Sequence, residues 1–299
     1  MTDWIKPAHS TDDSEFDVAA VRPGDPGWNH TGLLVADLAD GESRTLATGE
    51  CEYIVLPLAG AARVSVTAEG GTDTTVFELA GRADVFSGPT DLVYAPRDAE
   101  VTLTSVGGGR YALPFAKARR ALPVAKIEAA DVPVELRGAG QASRQVQNFG
   151  TPGTLEADSI IACEVITPAG NWSSYPPHKH DEHRPGQESE LEEIYYFEMR
   201  AEDGAPTGAD PIGYQRVYGT DERPIDVLAE VRSGDVVLVP HGWHGPAMAP
   251  TGYDMYYLNV MAGPGEERIW LICDDPAHGW VRDAWPTQQV DPRLPLHEH

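Results

Sequence analysis

The chain has 299 residues, with 47 Asp plus Glu against 22 Lys plus Arg and a formal net charge of −25. That field repels phosphate backbones and anionic lipid surfaces, which argues against nucleic acid and membrane partners and asks any anionic substrate for a local cationic pocket. The three cysteines, Cys51, Cys163 and Cys273, are widely spaced and odd in number, so buried reduced thiols are expected rather than a disulfide framework or a zinc knuckle. The start, Met-Thr-Asp-Trp-Ile-Lys-Pro, is no basic leader before an apolar run, and no stretch of 18 apolar residues occurs, so a soluble cytoplasmic protein is expected.

In chain order, the first half reads as short strands: 52–58, 62–67, 75–79, 91–94 and 101–104, bounded by Gly, Pro and Asp. The 30 Gly and 25 Pro supply that many turns, and no long apolar stripe of helical period appears. Short helices are expected only near 116–121 and 275–285. The fold class is therefore all-β, a sandwich or barrel. Pro and basic residues gather in 117–126, which suits a linker. The halves also rhyme: Glu52-Tyr-Ile-Val, then Asp84-Val-Phe-Ser-Gly and Asp91-Leu-Val-Tyr-Ala-Pro96, against Glu193-Ile-Tyr-Tyr, then Glu230-Val-Arg-Ser-Gly and Asp235-Val-Val-Leu-Val-Pro240. One β-module used twice is expected, with a first domain at 1–120, a linker at 121–135 and a second domain at 136–299.

After His30 there is no histidine until His178, so imidazole chemistry belongs to the second half. In Tyr-Pro-Pro-His-Lys-His-Asp, alternation along a strand points His178 and His180 the same way and Lys179 the other. A His-x-His pair alone is equally at home in an exposed loop. Glu193, opening a strand-like run, and His244, closing Val-Val-Leu-Val-Pro-His-Gly-Trp-His, complete a set of three nitrogens and one oxygen. Such a set suits one divalent metal ion, Zn, Mn, Fe, Co or Ni, with positions left open for substrate. The first half has no His at matching places and is expected to be a scaffold or a partner in packing and closure.

Gly-x5-Pro-x-Gly at Gly234–Gly242, with His244 beyond and His-x-His upstream, resembles the two motifs of the cupin superfamily. Longer stretches, Trp172–Asp181, Leu191–Tyr196, Gln215–Tyr218, Gly252–Pro264 and Asp275–Trp280, with weaker similarity from Gly81 to Pro96, resemble the 5-deoxy-glucuronate isomerases of inositol catabolism. Two features depart from the generic cupin pattern: a longer gap from His180 to Glu193 and a spacing one residue shorter before His244. The resemblance implies a bicupin of two jelly-roll β-barrel domains. It also implies conversion of 5-deoxy-D-glucuronate to 2-deoxy-5-keto-D-gluconate, an aldose–ketose isomerisation through a metal-assisted enediolate. Glu192 and Glu193 face opposite ways, and similarity to 5-keto-4-deoxyuronate isomerases favours Glu193 as the ligand.

The implied partner is a small anionic sugar acid. Its proton-moving base is expected among Glu192, Asp254 and a metal-bound water. For its carboxylate, Arg216 is the first candidate, with Tyr214 and Tyr218 on the same face, and Lys179 the second. Tyr257 is a further pocket candidate. His183 and His241 are expected outside the ligand set, His278 as an anchor of the carboxy-terminal segment, and His297 and His299 in a disordered tail. The acidic loop 181–190 suits a lid, and exposed jelly-roll edges suit a homo-oligomer. A cupin-type Fe(II) dioxygenase and a non-catalytic sugar-binding module are the competing readings.

Overall fold

The computed structural model describes residues 4–24 and 27–297. Among the described residues strands dominate, and helix is confined to three short 3-10 segments, the longest Gly279–Thr287. The helix expected at 116–121 does not form. Ala116 and Lys117 end the strand Ala99–Lys117, because Ala116 is drawn into backbone pairing with Glu52 and Thr31. Among the described residues no helix is long and apolar enough to cross a membrane.

The first half is one eight-stranded antiparallel sheet rolled on itself. Two long strands, Cys51–Ala68 and Ala99–Lys117, pair along most of their length and carry the chain around the corner, with bulges near Pro57, Ala59 and Ala61. The corner needs glycine. Gly60 has φ +86°, and a Cβ there would run into the Gly108 backbone. Side chains on the inner face, including Leu34, Val55, Val64, Val101 and Leu113, close an apolar core, with Tyr53 stacked on Phe115 at 4.6 Å.

The second half is a two-sheet barrel. One sheet runs Val134–Arg137, Arg144–Gly150, Ile161–Thr167, Tyr253–Ala262, Glu192–Ala201, Val236–Val239 and ends on Ile5–Lys6. The facing sheet comprises Asp226–Val231, Gly213–Tyr218, Trp243–Met248, His178–Lys179 and Cys273–Asp274, with Trp172–Ser173 attached. The edge strand Ile5–Lys6 comes from the amino terminus, so the first residues of the chain complete the sheet of the second half. The segment 121–135, expected as a linker, contains a further strand, Ala125–Ile127, on Leu92–Ala95 of the first sheet.

Between the halves lies the largest apolar cluster, uniting Leu33, Ile54 and Leu92 with Ile166, Ile194 and Leu258. Sheets buried on both faces explain why these strands read as continuous apolar runs. Polar clamps set the docking. Glu52 accepts backbone N–H from Asp158, Ser159 and Ile160 at 2.6–2.8 Å and the Tyr94 hydroxyl at 2.7 Å. Glu192 does the same in reverse, accepting N–H from Asn29, His30 and Thr31 at 2.7–3.0 Å and the Thr31 hydroxyl at 3.1 Å. A buried Arg82–Glu164 ion pair, joined by the Tyr256 hydroxyl, adds a third tie.

Candidate metal centre

Strand register decides which side chains enter the second barrel. Glu193 opposes Val239 and Met261, while its neighbour Glu192 points to the first half. His178 and His244 are direct cross-strand partners on the facing sheet. His180, Glu193 and His244 are all buried, and one ligand atom from each lies within 4.8 Å of the others. Glu193 Oε2 is 3.1 Å from both His180 Nε2 and His244 Nε2. The His178 ring stands beside them, its centroid 4.5 Å from that of His244 and 6.3 Å from that of His180.

The three imidazoles share one orientation. Nδ1 of His178, His180 and His244 lies 3.3 Å from the carbonyl oxygens of Pro176, Leu191 and Gly242 respectively. A carbonyl only accepts, so these contacts suit a proton on Nδ1 and leave Nε2 as the atom turned inward, toward Glu193 in His180 and His244, the orientation a metal ligand needs. Burial with His244 and His180 alongside pushes the His178 pKa well below its usual value. Burial alone would raise the Glu193 carboxyl, but His244 and His180 hold it down at about 2. Buried His244 Nε2 has no hydrogen-bond partner, nor do the side-chain amides of Gln215 or the Nδ2 of Asn259. Gln215 lies between Gly213 and Val217 on the inner face of its strand, and Asn259 pairs with Tyr195 and Cys163. Buried polar atoms left this way are uncommon, and a cation with its attendant oxygen ligands would satisfy them. The donor set, three imidazoles and a carboxylate, fits a divalent ion.

Other expected site residues are placed elsewhere. Glu192 is consumed by the interdomain clamp and faces away from the imidazoles, so it is no base. Asp254 accepts the Ala169 N–H at 2.9 Å and two hydrogen bonds from Arg200, its cross-strand partner, so it is a structural carboxylate. Arg216 and Tyr214 lie on the outer face of Gly213–Tyr218, where Arg216 binds Asp226 and two backbone carbonyls and Tyr214 donates to Glu230 at 3.0 Å. Alternation had placed Tyr214, Arg216 and Tyr218 together, and the fold turns that shared face outward. Lys179 Nζ is spent on Asp181 at 2.6 Å and Glu188 at 2.8 Å, with the Trp243 ring 5.6 Å away. Tyr257 does face the interior, packed against Tyr195 and Phe197.

The 181–190 segment is a hairpin, Asp181–Arg184 on Glu188–Glu190, pinned by buried Glu188 to Lys179 and Arg184. A cavity of about 660 Å³ lies outside the barrel against this hairpin, and none of the four ligand candidates lines it. His183 is exposed there, and His278 stands directly before the Gly279–Thr287 segment without a capping side-chain hydrogen bond. His297, expected in a disordered tail, lies with Nδ1 2.9 Å from Gln145 Nε2, while His299 falls outside the described residues. Sequence reasoning reads Asn259 as a core or hydrogen-bonding scaffold residue and missed Gln215 and Arg144. Their only signal was a polar residue at an inward position of an apolar strand.

Two antiparallel β-barrels in tandem, the second with inward imidazoles and a carboxylate, define a bicupin. The oxalate decarboxylase of Lactobacillus farciminis shares this architecture, with a TM-score of 0.59 at 13% identity over 90% of each chain. Residues 4–281 match the KduI/IolB family, and the chain belongs to that family. It is 40% identical over 285 residues to a 5-deoxy-glucuronate isomerase of Geobacillus kaustophilus, covering 95% of this chain and 97% of that one. Its identity to the 5-deoxy-glucuronate isomerase of Bacillus subtilis is 40%, over 94% of each chain. A solved IolB-like protein of Salmonella typhimurium superposes with a TM-score of 0.81 at 34% identity, covering 94% of this chain and 99% of that one.

Proposed function

We propose that this protein is an intramolecular aldose–ketose isomerase that converts 5-deoxy-D-glucuronate to 2-deoxy-5-keto-D-gluconate in inositol catabolism. The observation that carries this reading is 40% identity to a 5-deoxy-glucuronate isomerase across 95% of the chain. The reaction moves a hydrogen between the aldehyde carbon and its hydroxyl-bearing neighbour.

In this reading His178, His180, Glu193 and His244 hold one divalent metal ion. Such an ion supplies Lewis acidity to a carbonyl and the hydroxyl beside it, easing loss of the proton on the carbon between. The Nδ1 contacts to the carbonyls of Pro176, Leu191 and Gly242 fix each ring so that Nε2 is the atom presented to the ion. Tyr195 and Tyr257 have hydroxyls pushed well up by burial, so they remain protonated and serve as donors to sugar oxygens, not as bases. Tyr195 is aimed by a 3.0 Å hydrogen bond with Ser174. The apolar walls of Val165, Phe197 and Val217 exclude water around the reacting carbons. Residues 136–299 carry the chemistry, and residues 1–120 buttress the back of its main sheet.

The test is an anaerobic assay of metal-reconstituted protein with 5-deoxy-D-glucuronate, following aldehyde loss and ketone gain by NMR. Conversion without oxygen is expected. His178→Ala and Glu193→Ala are expected to lower bound metal and reduce turnover at least 100-fold, about 2.7 kcal/mol in the barrier. Conversion that requires oxygen would transfer the site to dioxygenase chemistry, and well-folded, metal-loaded protein without turnover would end the isomerase reading.

A further inference from the structure

One buried cation in the second barrel has no counter-ion. Arg144 opens the strand Arg144–Gly150, and Arg137 is its direct partner across the hairpin, so two guanidinium groups project from the same face. Like charges placed opposite each other on a sheet repel. Arg137 is compensated by a two-point contact with Glu135 at 2.7 and 3.0 Å. Arg144 is not. It is 5% exposed, and its one hydrogen bond runs from Nη1 to the Ala142 carbonyl at 3.0 Å. Among the described residues no carboxylate pairs with it. A guanidinium has five N–H donors in a planar fork, so most of its capacity is unspent.

Its surroundings lead back to the metal set. The Arg144 guanidinium lies 5.6 Å from the Trp285 ring centroid, and Arg282 lies 4.8 Å from the same ring. Arg282 in turn is paired with Asp274, the cross-strand neighbour of His178. On the other side Val146, two residues beyond Arg144 on the same face, opposes Val165, which in turn opposes Tyr257; the Tyr257 ring centroid lies 5.0 Å from that of Tyr195, itself 6.1 Å from that of His244. The position is built. Gly138, at φ +80°, leaves room for the guanidinium, and a Cβ there would lie 2.7 Å from Nη1. Gly140 N–H donates to the Gln289 carbonyl at 2.8 Å, fastening the segment that carries Trp285 over the hairpin. Trp285 Nε1–H is buried without a partner.

We propose that Arg144 is the carboxylate anchor of this barrel, receiving the acid end of a uronate while the carbonyl end lies toward His178, His180, Glu193 and His244. The proposal deepens the isomerase reading and rests on it for the identity of the sugar acid. A fork that meets a carboxylate in two parallel hydrogen bonds fixes orientation as well as charge. It also answers the −25 charge of the chain, because the binding cation sits inside the barrel, shielded from the acidic exterior. Burial, with Arg137 and Arg282 beside it, draws the Arg144 pKa down to about 10, so it is charged at neutral pH.

The test measures binding apart from turnover. D-glucuronate and D-glucose, which differ at the carboxylate, are titrated into metal-loaded protein by calorimetry, alongside steady-state kinetics with 5-deoxy-D-glucuronate. Expected is uronate binding at least 30-fold tighter than glucose binding in the wild-type protein. Arg144→Met is expected to abolish that preference and raise KM at least 30-fold, and Arg144→Lys to recover part of both. Because Arg144→Met removes an unpaired charge, its thermal midpoint is expected to stay level or rise, which a merely structural arginine would not allow. Unchanged KM and an unchanged preference in folded Arg144→Met would overturn the anchor and leave the isomerase intact. A wild-type protein that binds D-glucuronate through Arg144 yet fails to turn over 5-deoxy-D-glucuronate would keep the anchor and overturn the isomerase.

Discussion

The two barrels share a skeleton and differ inside. In the first, Tyr53 opposes Ala95, and in the second Glu193 opposes Val239, each pair directly preceding Pro96 or Pro240. Tyr53 is thus the counterpart of Glu193, and Glu52 is the counterpart of Glu192. The sequence rhyme set Glu52 against Glu193, one residue out, and a one-residue slip exchanges the two faces of a strand. With the register corrected, the duplicated feature is the clamp: Glu52 and Glu192 each bind three backbone N–H groups of the opposite half. The inward neighbour is what diverged. Tyr53 stacks on Phe115 in an apolar core, whereas Glu193 meets His180 and His244. Both halves hold the pair together, and the second brings two imidazoles and a carboxylate to one point.

The sharpest way to break this contrast is Tyr53→Glu. It buries a carboxylate among Leu34, Val55 and Leu113 with no imidazole to receive it, and a loss of about 4 kcal/mol or more is expected in chemical denaturation. Metal content of the folded fraction should not change. If the first barrel accepted the carboxylate without loss, the two interiors would not differ in the way described.

Next come the clamps. Glu52→Ala and Glu192→Ala each strand three backbone donors and are each expected to cost about 3 kcal/mol. Glu192→Gln is the sharper instrument, because it removes the charge but keeps an acceptor. Turnover per folded, metal-loaded molecule is expected within about twofold of wild type, since ~0.4 kcal/mol is all such a change represents. A loss of 100-fold without unfolding would restore Glu192 as a base. The smallest effect is expected on the outer face: Arg216→Ala and Tyr214→Phe should leave KM and kcat within about twofold, in agreement with surface pairs that contribute little.

Much of the candidate site was legible because it rests on local rules. Alternation gave the common direction of His178 and His180, and it separated Lys179 and Glu192 from the ligands. Alternation does not say which face is inside. Arg216 and Tyr214 share a face as expected, but that face is outward because Gln215 and Val217 turn to the core. Asp254 is spent for a related reason: its register partner is Arg200, 54 residues earlier in the chain, which no local pattern announces.

By itself the sequence determined an all-β chain of two related modules and singled out His180, Glu193 and His244, which the fold brings together as a candidate metal set. Periodicity, turn chemistry and residue type act within a few positions, so they survive without a fold. Tertiary structure alone decided the strand register, the exchange of Ile5–Lys6 into the second sheet and the spending of Glu192, Asp254 and Lys179 on structural partners. It alone left Arg144 buried without a carboxylate. Whether a charge is free or paired depends on groups that meet only when distant strands are brought side by side.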